Sequence, residues 1–201
     1  MKKKLFIAIV YASRQGHTKM QAEAVARGAA AAGAKVKLFE SATAIKKMSE
    51  LDAAAAIVIG TPTYMGNISS EIKLFMENCV SRWFSRVWSD KVAGGFTCSA
   101  SFSGDKVNTM QGICLFALQM GMIWVGENQL AAANLPDEYE SIEGPGSKAW
   151  NRNNASIGPM ASVFHVGIPE APACGDLETA EAYGRRISEI TARLHRDEEF
   201  V

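Results

Sequence analysis

The run from Leu5 to Thr18, LFIAIVYASRQGHT, constrains the fold of this chain more than any other stretch. Its first eight residues are mostly apolar and uninterrupted, which is typical of a strand covered on both faces in a parallel sheet. Polar residues follow from Ser13, and an alanine-rich segment begins at Lys19. Because alanine favours helix, the stretch predicts a strand, a short loop and a helix in that order.

A helix that begins directly after a buried strand can bind an anion at its first turn. The first N–H groups have no partner within the helix, and the helix dipole is positive at that end. The loop therefore predicts a phosphate site with Ser13, Thr18 and backbone N–H groups as donors, and with Arg14 and His17 as nearby charges. An ordinary turn with a Ser/Thr cap has the same composition, so this loop alone leaves both interpretations open.

The same alternation of strand and helix recurs along the chain. Further strands are predicted over 35–40, 53–60, 91–98 and 122–125, and helices over 19–32, 41–51, 68–83, 106–120 and 177–196. This pattern is typical of an α/β fold with a doubly wound parallel five-stranded sheet, flavodoxin-like in its strand order 2-1-3-4-5, and with helices on both faces.

Residues 126–175 break this alternation, because Gly, Pro, Asn and Ser occur throughout and no periodicity is sustained. A long loop after the fifth strand is usually functional or part of an oligomer contact. The whole chain, residues 1–201, has the size and the 48% hydrophobic content of a single domain, which is the organisation we expect.

Charge and cysteine content narrow the function further. Twenty-one basic and 21 acidic residues cancel, so we expect no binding to nucleic acid or to an anionic membrane surface. No apolar run approaches the ~20 residues of a membrane span. The four cysteines lie far apart without metal-ligand spacing, which favours reduced thiols in a cytoplasmic protein and no metal site.

Three of the predicted strands end in polar loops, over residues 13–18, 61–67 and 99–105. In the predicted strand order these strands are neighbours, so their loops meet at the carboxyl edge of the sheet, where ligands bind in open α/β folds. The first loop suits a phosphate, and the other two can surround a planar heterocycle and hydrogen-bond its edge. A ligand with a terminal phosphate and a flat aromatic head fits this arrangement, and FMN is such a ligand.

These motifs also carry a family resemblance. The chain resembles the WrbA-type branch of the flavodoxin-like proteins, which are FMN-dependent NAD(P)H:quinone oxidoreductases. The matching pieces span nearly the whole chain: YASRQGHT at 11–18, GTPTYMGNISSEIKLFME at 60–77, Trp83 within VSRWF, residues 91–96, GM at 121–122 and GDLETAEAYGRRISEI at 175–190.

The loops and the resemblance together give the candidate site. The candidate FMN-binding residues are Ser13, Arg14, Gln15, Gly16, His17 and Thr18 in the first loop; Thr63, Tyr64, Met65, Gly66 and Asn67 in the second; Cys98, Ser99, Ala100, Ser101, Phe102 and Ser103 in the third; and Gln119. The resemblance places Trp83 in the quinone pocket and Gln15 near the nicotinamide. Trp83 also lies in register with the apolar face of its helix, so core packing is an equal alternative.

Three positions depart from the family pattern. The third loop reads CSASFS where the family has a glycine-rich STGTGG, Gln119 stands where a histidine precedes GM, and Gln15 stands where the family tends to have an aromatic residue. An SxxK match at Ser103–Lys106 lacks the partner motifs of a nucleophilic serine and has no predicted catalytic role.

The resemblance implies an enzyme in which FMN takes two electrons from NAD(P)H and delivers them to a quinone or a similar acceptor, with no catalytic side chain required. Two alternatives stay open: a flavodoxin-type one-electron carrier without turnover of its own, and a flavin-dependent reductase of a non-quinone acceptor. We also expect a homo-oligomer, a dimer or a tetramer, with residues 126–175 closing the pocket between subunits.

Overall fold

The structure is a computed structural model, and it describes residues 4–134 and 144–195 of the chain. Its strands are β1 (Phe6–Tyr11), β2 (Lys35–Glu40), β3 (Ala56–Tyr64), β4 (Asn67–Ile68), β5 (Val92–Ser99), β6 (Ile123–Trp124) and β7 (Met160–Ser162). Its helices are α1 (His17–Ala31), α2 (Ser41–Lys46), α3 (Met48–Asp52), α4 (Ser70–Asn78), α5 (Val80–Ser85), α6 (Lys106–Gln119) and α7 (Cys174–Leu194), with a 3₁₀ turn at Ala132–Asn134.

The sheet has the predicted strand order. Strands β2, β1, β3, β5 and β6 are adjacent in that sequence and parallel, which confirms the order 2-1-3-4-5 for the five predicted strands. Two short additions raise the total in the described residues to seven, because β4 pairs antiparallel with β3 and β7 pairs parallel with β5. The flavodoxin-like doubly wound architecture is therefore confirmed, with two more strands than predicted.

The fifth position of the sheet is divided between two strands. β6 pairs with Val92 and Ala93 at the start of β5, and β7 pairs with residues 97–99 at its end. Residues 126–175, which were predicted as one long irregular segment, also contain β7 and the first residues of α7. As a result, the chain after β7 reaches the carboxyl edge of the sheet beside the third loop.

Helices cover both faces of the sheet. Successive side chains of β1 point to opposite faces, and apolar side chains occur on both, so both faces must be covered. Ile7 and Ile9 pack on one face in a cluster with Tyr183 of α7. Ala8 and Val10 pack on the other face, in a cluster that includes Phe75 of α4 and Met110 of α6. Within the described ranges, no helix is both long and apolar enough to cross a lipid bilayer.

Candidate cofactor site

A cleft of about 220 Å³ lies at the carboxyl edge of the sheet. It is lined by Ser13, Arg14, Gln15, His17, Thr18, Pro62, Thr63, Tyr64, Cys98, Ser99, Ala100, Val163 and His165. All three predicted loops contribute to it, so the structure brings them together. Ligand pockets typically measure roughly 300–1,000 Å³. The cleft therefore has room for only part of a ligand as large as a flavin nucleotide, such as its phosphate end.

The first loop presents an anion-binding helix terminus to this cleft. Helix α1 begins at His17, and Gly16 before it has a left-handed backbone with φ of 92°. The backbone N–H of Lys19 donates to Ser13 Oγ at 3.2 Å. The N–H groups of residues 16–18 have no acceptor among the residues that the structure describes. Free donors at a helix N-terminus fit a phosphate group.

Thr18 connects the first loop to the third. Its hydroxyl lies 3.3 Å from Cys98 Sγ, and both side chains are buried. Burial raises the pKa of the Cys98 thiol to about 11, so this group is neutral near pH 7. The floor of the cleft between these loops therefore carries no negative charge that would repel a phosphate.

The second loop is mostly strand, which corrects its prediction as a loop over 61–67. Strand β3 continues through Tyr64 and pairs with β4 in a hairpin. Met65 and Gly66 form its turn, with φ values of 48° and 70°. Strand pairing fixes the base of this turn, and the Met65 side chain at its tip is fully exposed and does not line the cleft. Asn67 lies outside the cleft.

Thr63 lines the cleft, but its hydroxyl group is hydrogen-bonded to other side chains inside the protein. Its Oγ1 lies 2.9 Å from the hydroxyl of Thr97 and 2.9 Å from that of Thr109. These three threonines are buried and link β3, β5 and α6. The cluster fixes the position of the second loop relative to the third.

Arg14 joins the first loop to the second. Its Nε donates to the Glu71 carboxylate at 2.6 Å, and its guanidinium lies 5.0 Å from the centre of the Tyr64 ring. The hydrogen bond from Arg14 lowers the pKa of Glu71 to about 2, so both groups are charged near pH 7. Much of the Arg14 charge is therefore offset by Glu71 rather than directed at a bound phosphate.

The third loop contributes its first half to the cleft. Ser99 and Ala100 line it, whereas Ser101, Phe102 and Ser103 do not. Instead, the Ser101 carbonyl accepts hydrogen bonds from Lys106 Nζ and from Ser162 Oγ. The Phe102 ring packs edge-on against Phe164, with 4.9 Å between the ring centres.

Sequence reasoning missed the fourth side of the cleft, which follows β7. Val163 and His165 line it, and the Nε2–H of His17 donates to the Val166 carbonyl at 2.9 Å. This segment therefore closes the cleft within its own chain. A strand of three residues is too short for its alternation to be recognised, so only the pairing of β7 with β5 reveals it.

Sequence reasoning also missed Lys106. The residue is 1% exposed, and its ammonium contacts the third loop from behind. Lysine is almost never fully buried, so its residue type gave no signal for this position.

Trp83 and Gln119 lie away from the cleft. Both line a separate groove of about 810 Å³ between α4, α5 and α6. Trp83 is half-buried, packs against the core and lies 4.6 Å from the Phe84 ring centre. The structure therefore brings these two residues together with Asn67 of the second loop, but not with the loop residues that line the cleft.

Comparison with known proteins identifies the family of this chain. A model of the family described as NADPH-dependent FMN reductase matches residues 6–137. This chain belongs to that family. Flavodoxin FldP of Pseudomonas aeruginosa is 37% identical to it, covering 93% of this chain and 97% of FldP. An NAD(P)H dehydrogenase (quinone) of Paracoccus denitrificans is 30% identical, covering 94% of each chain.

A solved structure agrees with this placement in the FMN reductase family. The crystal structure of a flavodoxin, WrbA-like protein from Agrobacterium tumefaciens superposes with a TM-score of 0.70 at 36% identity, covering 94% of this chain and 99% of that one. The predicted WrbA-type resemblance, the FMN cofactor and an FMN-dependent NAD(P)H oxidoreductase activity are thereby confirmed at the level of the family.

Proposed function

We propose that this member of the FMN reductase family transfers two electrons from NAD(P)H to a quinone. The observation that carries the proposal is the meeting of three polar loops, distant in sequence, around the free N–H groups of one helix terminus. Bound FMN would supply the hydride and electron-transfer chemistry, and the protein would supply binding, orientation and electrostatics.

The first loop would hold the phosphate of the cofactor. The N–H groups of residues 16–18 are free to donate to it, and the hydroxyls of Ser13 and Thr18 face the same cleft. These neutral donors and the dipole of α1 would stabilise the phosphate charge. His17 is fixed by its bond to Val166, so we assign it a structural role at this loop rather than one as a base.

The second and third loops would hold the flavin ring. Tyr64 is fixed against Arg14, and Met65 projects from a rigid hairpin turn. Ser99 and Ala100 approach the cleft from the opposite side. The ring would lie between these two rims, with its remaining face open to the nicotinamide or the quinone in turn. Gln15, at the mouth of the cleft, is our candidate for a nicotinamide contact.

We also propose that a homo-oligomer, a dimer or a tetramer, completes the site. If Trp83 and Gln119 act on substrate, as the resemblance implies, they must reach the cofactor of a second copy, because they lie in a groove apart from the cleft of their own chain. Size-exclusion chromatography tests this. A purified monomer with full quinone reductase activity, or a Trp83→Ala variant that leaves the quinone KM unchanged, would refute it.

We propose that the protein is cytoplasmic. All four cysteines, at positions 79, 98, 114 and 174, are free, which supports our proposal of a cytoplasmic location, where thiols stay reduced.

Anaerobic stopped-flow mixing tests the proposed activity. The FMN-loaded protein is mixed with NADH or NADPH, and flavin absorbance is followed. Rapid bleaching, followed by rapid recovery when a quinone is added, is the expected result. Recovery only with free flavin, an iron chelate or an azo or nitro compound would assign the protein to a different acceptor.

A one-electron carrier is the second candidate, and the match to Flavodoxin FldP favours it. A carrier needs a reductase partner, so its flavin would not bleach on mixing with either nicotinamide nucleotide alone. The neutral net charge of this chain argues against a carrier, because charge steers the docking of redox partners. The stopped-flow experiment separates the two functions directly.

A further inference from the structure

Lys106 is a buried ammonium group that contacts no carboxylate within residues 4–134 and 144–195. Its Nζ donates to Ser99 Oγ at 3.1 Å, to Ser162 Oγ at 3.0 Å and to the Ser101 carbonyl. An ammonium has three N–H donors, so these three acceptors satisfy it. The partners are all neutral, so the positive charge itself is not cancelled by any of these contacts.

Asp176, an acidic group that acts electrostatically on Lys106, is already paired with another cation. The Asp176 carboxylate accepts hydrogen bonds from Arg152 at 2.9 Å and 2.8 Å and from Asn153 at 3.1 Å. Both members of the Arg152–Asp176 pair are buried. The third titratable neighbour, Cys98, has a raised pKa and is neutral near pH 7. This buried cluster of Lys106, Arg152 and Asp176 therefore carries a net positive charge.

The cluster lies directly behind the third loop. Ser99, whose hydroxyl accepts from Lys106, also lines the cleft, and the loop folds so that the Ser101 carbonyl faces the ammonium. Ser162 at the end of β7 joins the same group and also donates to the Ser101 carbonyl at 2.9 Å. One ammonium thus ties the third loop to the segment that forms the fourth side of the cleft.

We propose that Lys106 is a positioning residue for the cofactor: it holds the third loop in its binding conformation and supplies uncompensated positive charge behind the cleft. The inference rests on the proposed function, since it concerns the same FMN site. A fixed loop lowers the entropic cost of binding. A buried positive charge favours the anionic phosphate and also favours reduction of the flavin, because reduction adds negative charge.

The chain offers a matched control at the opposite end of β5. Lys91 Nζ also donates to backbone carbonyls, those of Asp52 at 2.7 Å and of Ala54. Lys91 is partly buried, and burial lowers its pKa, as it does for Lys106. It does not line the cleft. A Lys91→Met variant therefore removes a comparable ammonium without touching the third loop.

The test compares Lys106→Met, Lys106→Gln and Lys91→Met with the wild type. FMN affinity is measured by quenching of flavin fluorescence on titration of the apoprotein, and the flavin midpoint potential by anaerobic reduction against reference dyes. We expect Lys106→Met to bind FMN at least about tenfold more weakly, the equivalent of one lost charge-assisted hydrogen bond, and to have a lower potential. Lys106→Gln keeps donors but no charge, so its potential should fall as well. Lys91→Met should match the wild type in both.

The wild type supplies a measurement that does not depend on whether a variant folds. Burial lowers the pKa of Lys106 to about 8, so its FMN affinity should fall as pH rises from 7 to 9. FMN affinity and potential that are unchanged in both Lys106 variants, or a flat pH profile in the wild type, would overturn the inference and leave the proposed function intact. A wild type that binds no FMN would instead overturn the proposed function.

Discussion

The cleft and the groove of this protein are built from different parts of the fold. The cleft, about 220 Å³, lies at strand ends, and its lining includes the hydroxyl-bearing residues Ser13, Thr18 and Ser99. The groove, about 810 Å³, lies between helices and includes Met76, Val80, Leu115 and Phe116. Within the part of the chain that the structure describes, the cleft combines backbone donors without an acceptor and a buried net positive charge, and the groove does not. Donor chemistry, rather than size, therefore indicates where an anionic cofactor binds.

The largest expected effect comes from removing the buried anion behind the cleft. Asp176→Ala leaves Arg152 without its partner, in a region where the structure exposes 6% of that side chain. Breaking a buried pair typically costs about 3–5 kcal/mol of unfolding free energy. Urea denaturation measures this loss. The matched control, Glu181→Ala, breaks the exposed pair with Arg27 and should cost less than about 1 kcal/mol. Equal costs would contradict the description of a buried cluster.

The pH dependence of the unfolding free energy is a second test of the buried charged cluster. The pKa of Lys106 is about 8 in the folded protein, below its ordinary value of 10.5. Between these values the unfolded chain binds more protons at this position, so the unfolding free energy should rise with pH across this window, by on the order of 3 kcal/mol. The measurement is urea denaturation at several pH values for wild type and Lys106→Met. The same slope in both proteins would contradict the burial of this charge.

Substituting the two glycines at the ends of α1 distinguishes an effect on FMN binding from an effect on stability. Gly16 and Gly33 have similar left-handed φ values of 92° and 97°, so alanine is strained at both. At Gly16 a Cβ would also lie 2.9 Å from Ile168, whereas at Gly33 it would meet nothing within 4 Å. Each substitution should cost roughly 1–2 kcal/mol of stability. Only Gly16→Ala should also weaken FMN binding, by about tenfold or more. Titration with FMN, followed by flavin fluorescence, measures the affinity of each variant. Equal affinities in Gly16→Ala and Gly33→Ala would show that the phosphate does not bind at the N-terminus of α1.

The smallest expected effect concerns the ion pair between Arg14 and Glu71. Glu71 is charged down to a pKa of about 2 because Arg14 donates to it. The pair therefore contributes stability above the unfolded pKa near 4.5, and this contribution is lost as pH falls through 2. Since both side chains are partly exposed, Glu71→Gln should cost less than about 1 kcal/mol at pH 7. Thermal denaturation at pH 7 and pH 2 checks this, and a larger loss at pH 2 would contradict it.

Long apolar runs made the main sheet predictable from the sequence. The strand predicted over 35–40 matches β2 residue for residue, and the predicted order of all five strands is correct. Once that order is known, parallel strands place their following loops at one edge, so the meeting of Ser13, Thr18, Tyr64 and Ser99 also follows. Local sequence and topology suffice for this part of the site.

The remaining parts depend on tertiary contacts that local patterns do not encode. Strands β4 and β7 have two and three residues, too few for a recognisable alternation, and they exist because a longer strand lies beside them. The burial of Lys106 depends on Ser162, which is distant in sequence. Trp83 fits the apolar face of its helix but lines a groove open to the surface, so its helical register alone could not distinguish core packing from a binding role.

Titration of the purified apoprotein with FMN tests the central claim most directly, because it asks whether this cleft binds the cofactor. We expect quenching of flavin fluorescence that saturates at one FMN per chain in the wild type, with weaker binding in Gly16→Ala but not in Gly33→Ala. Fluorescence that rises in proportion to added FMN, with no saturation in the wild type, would contradict it.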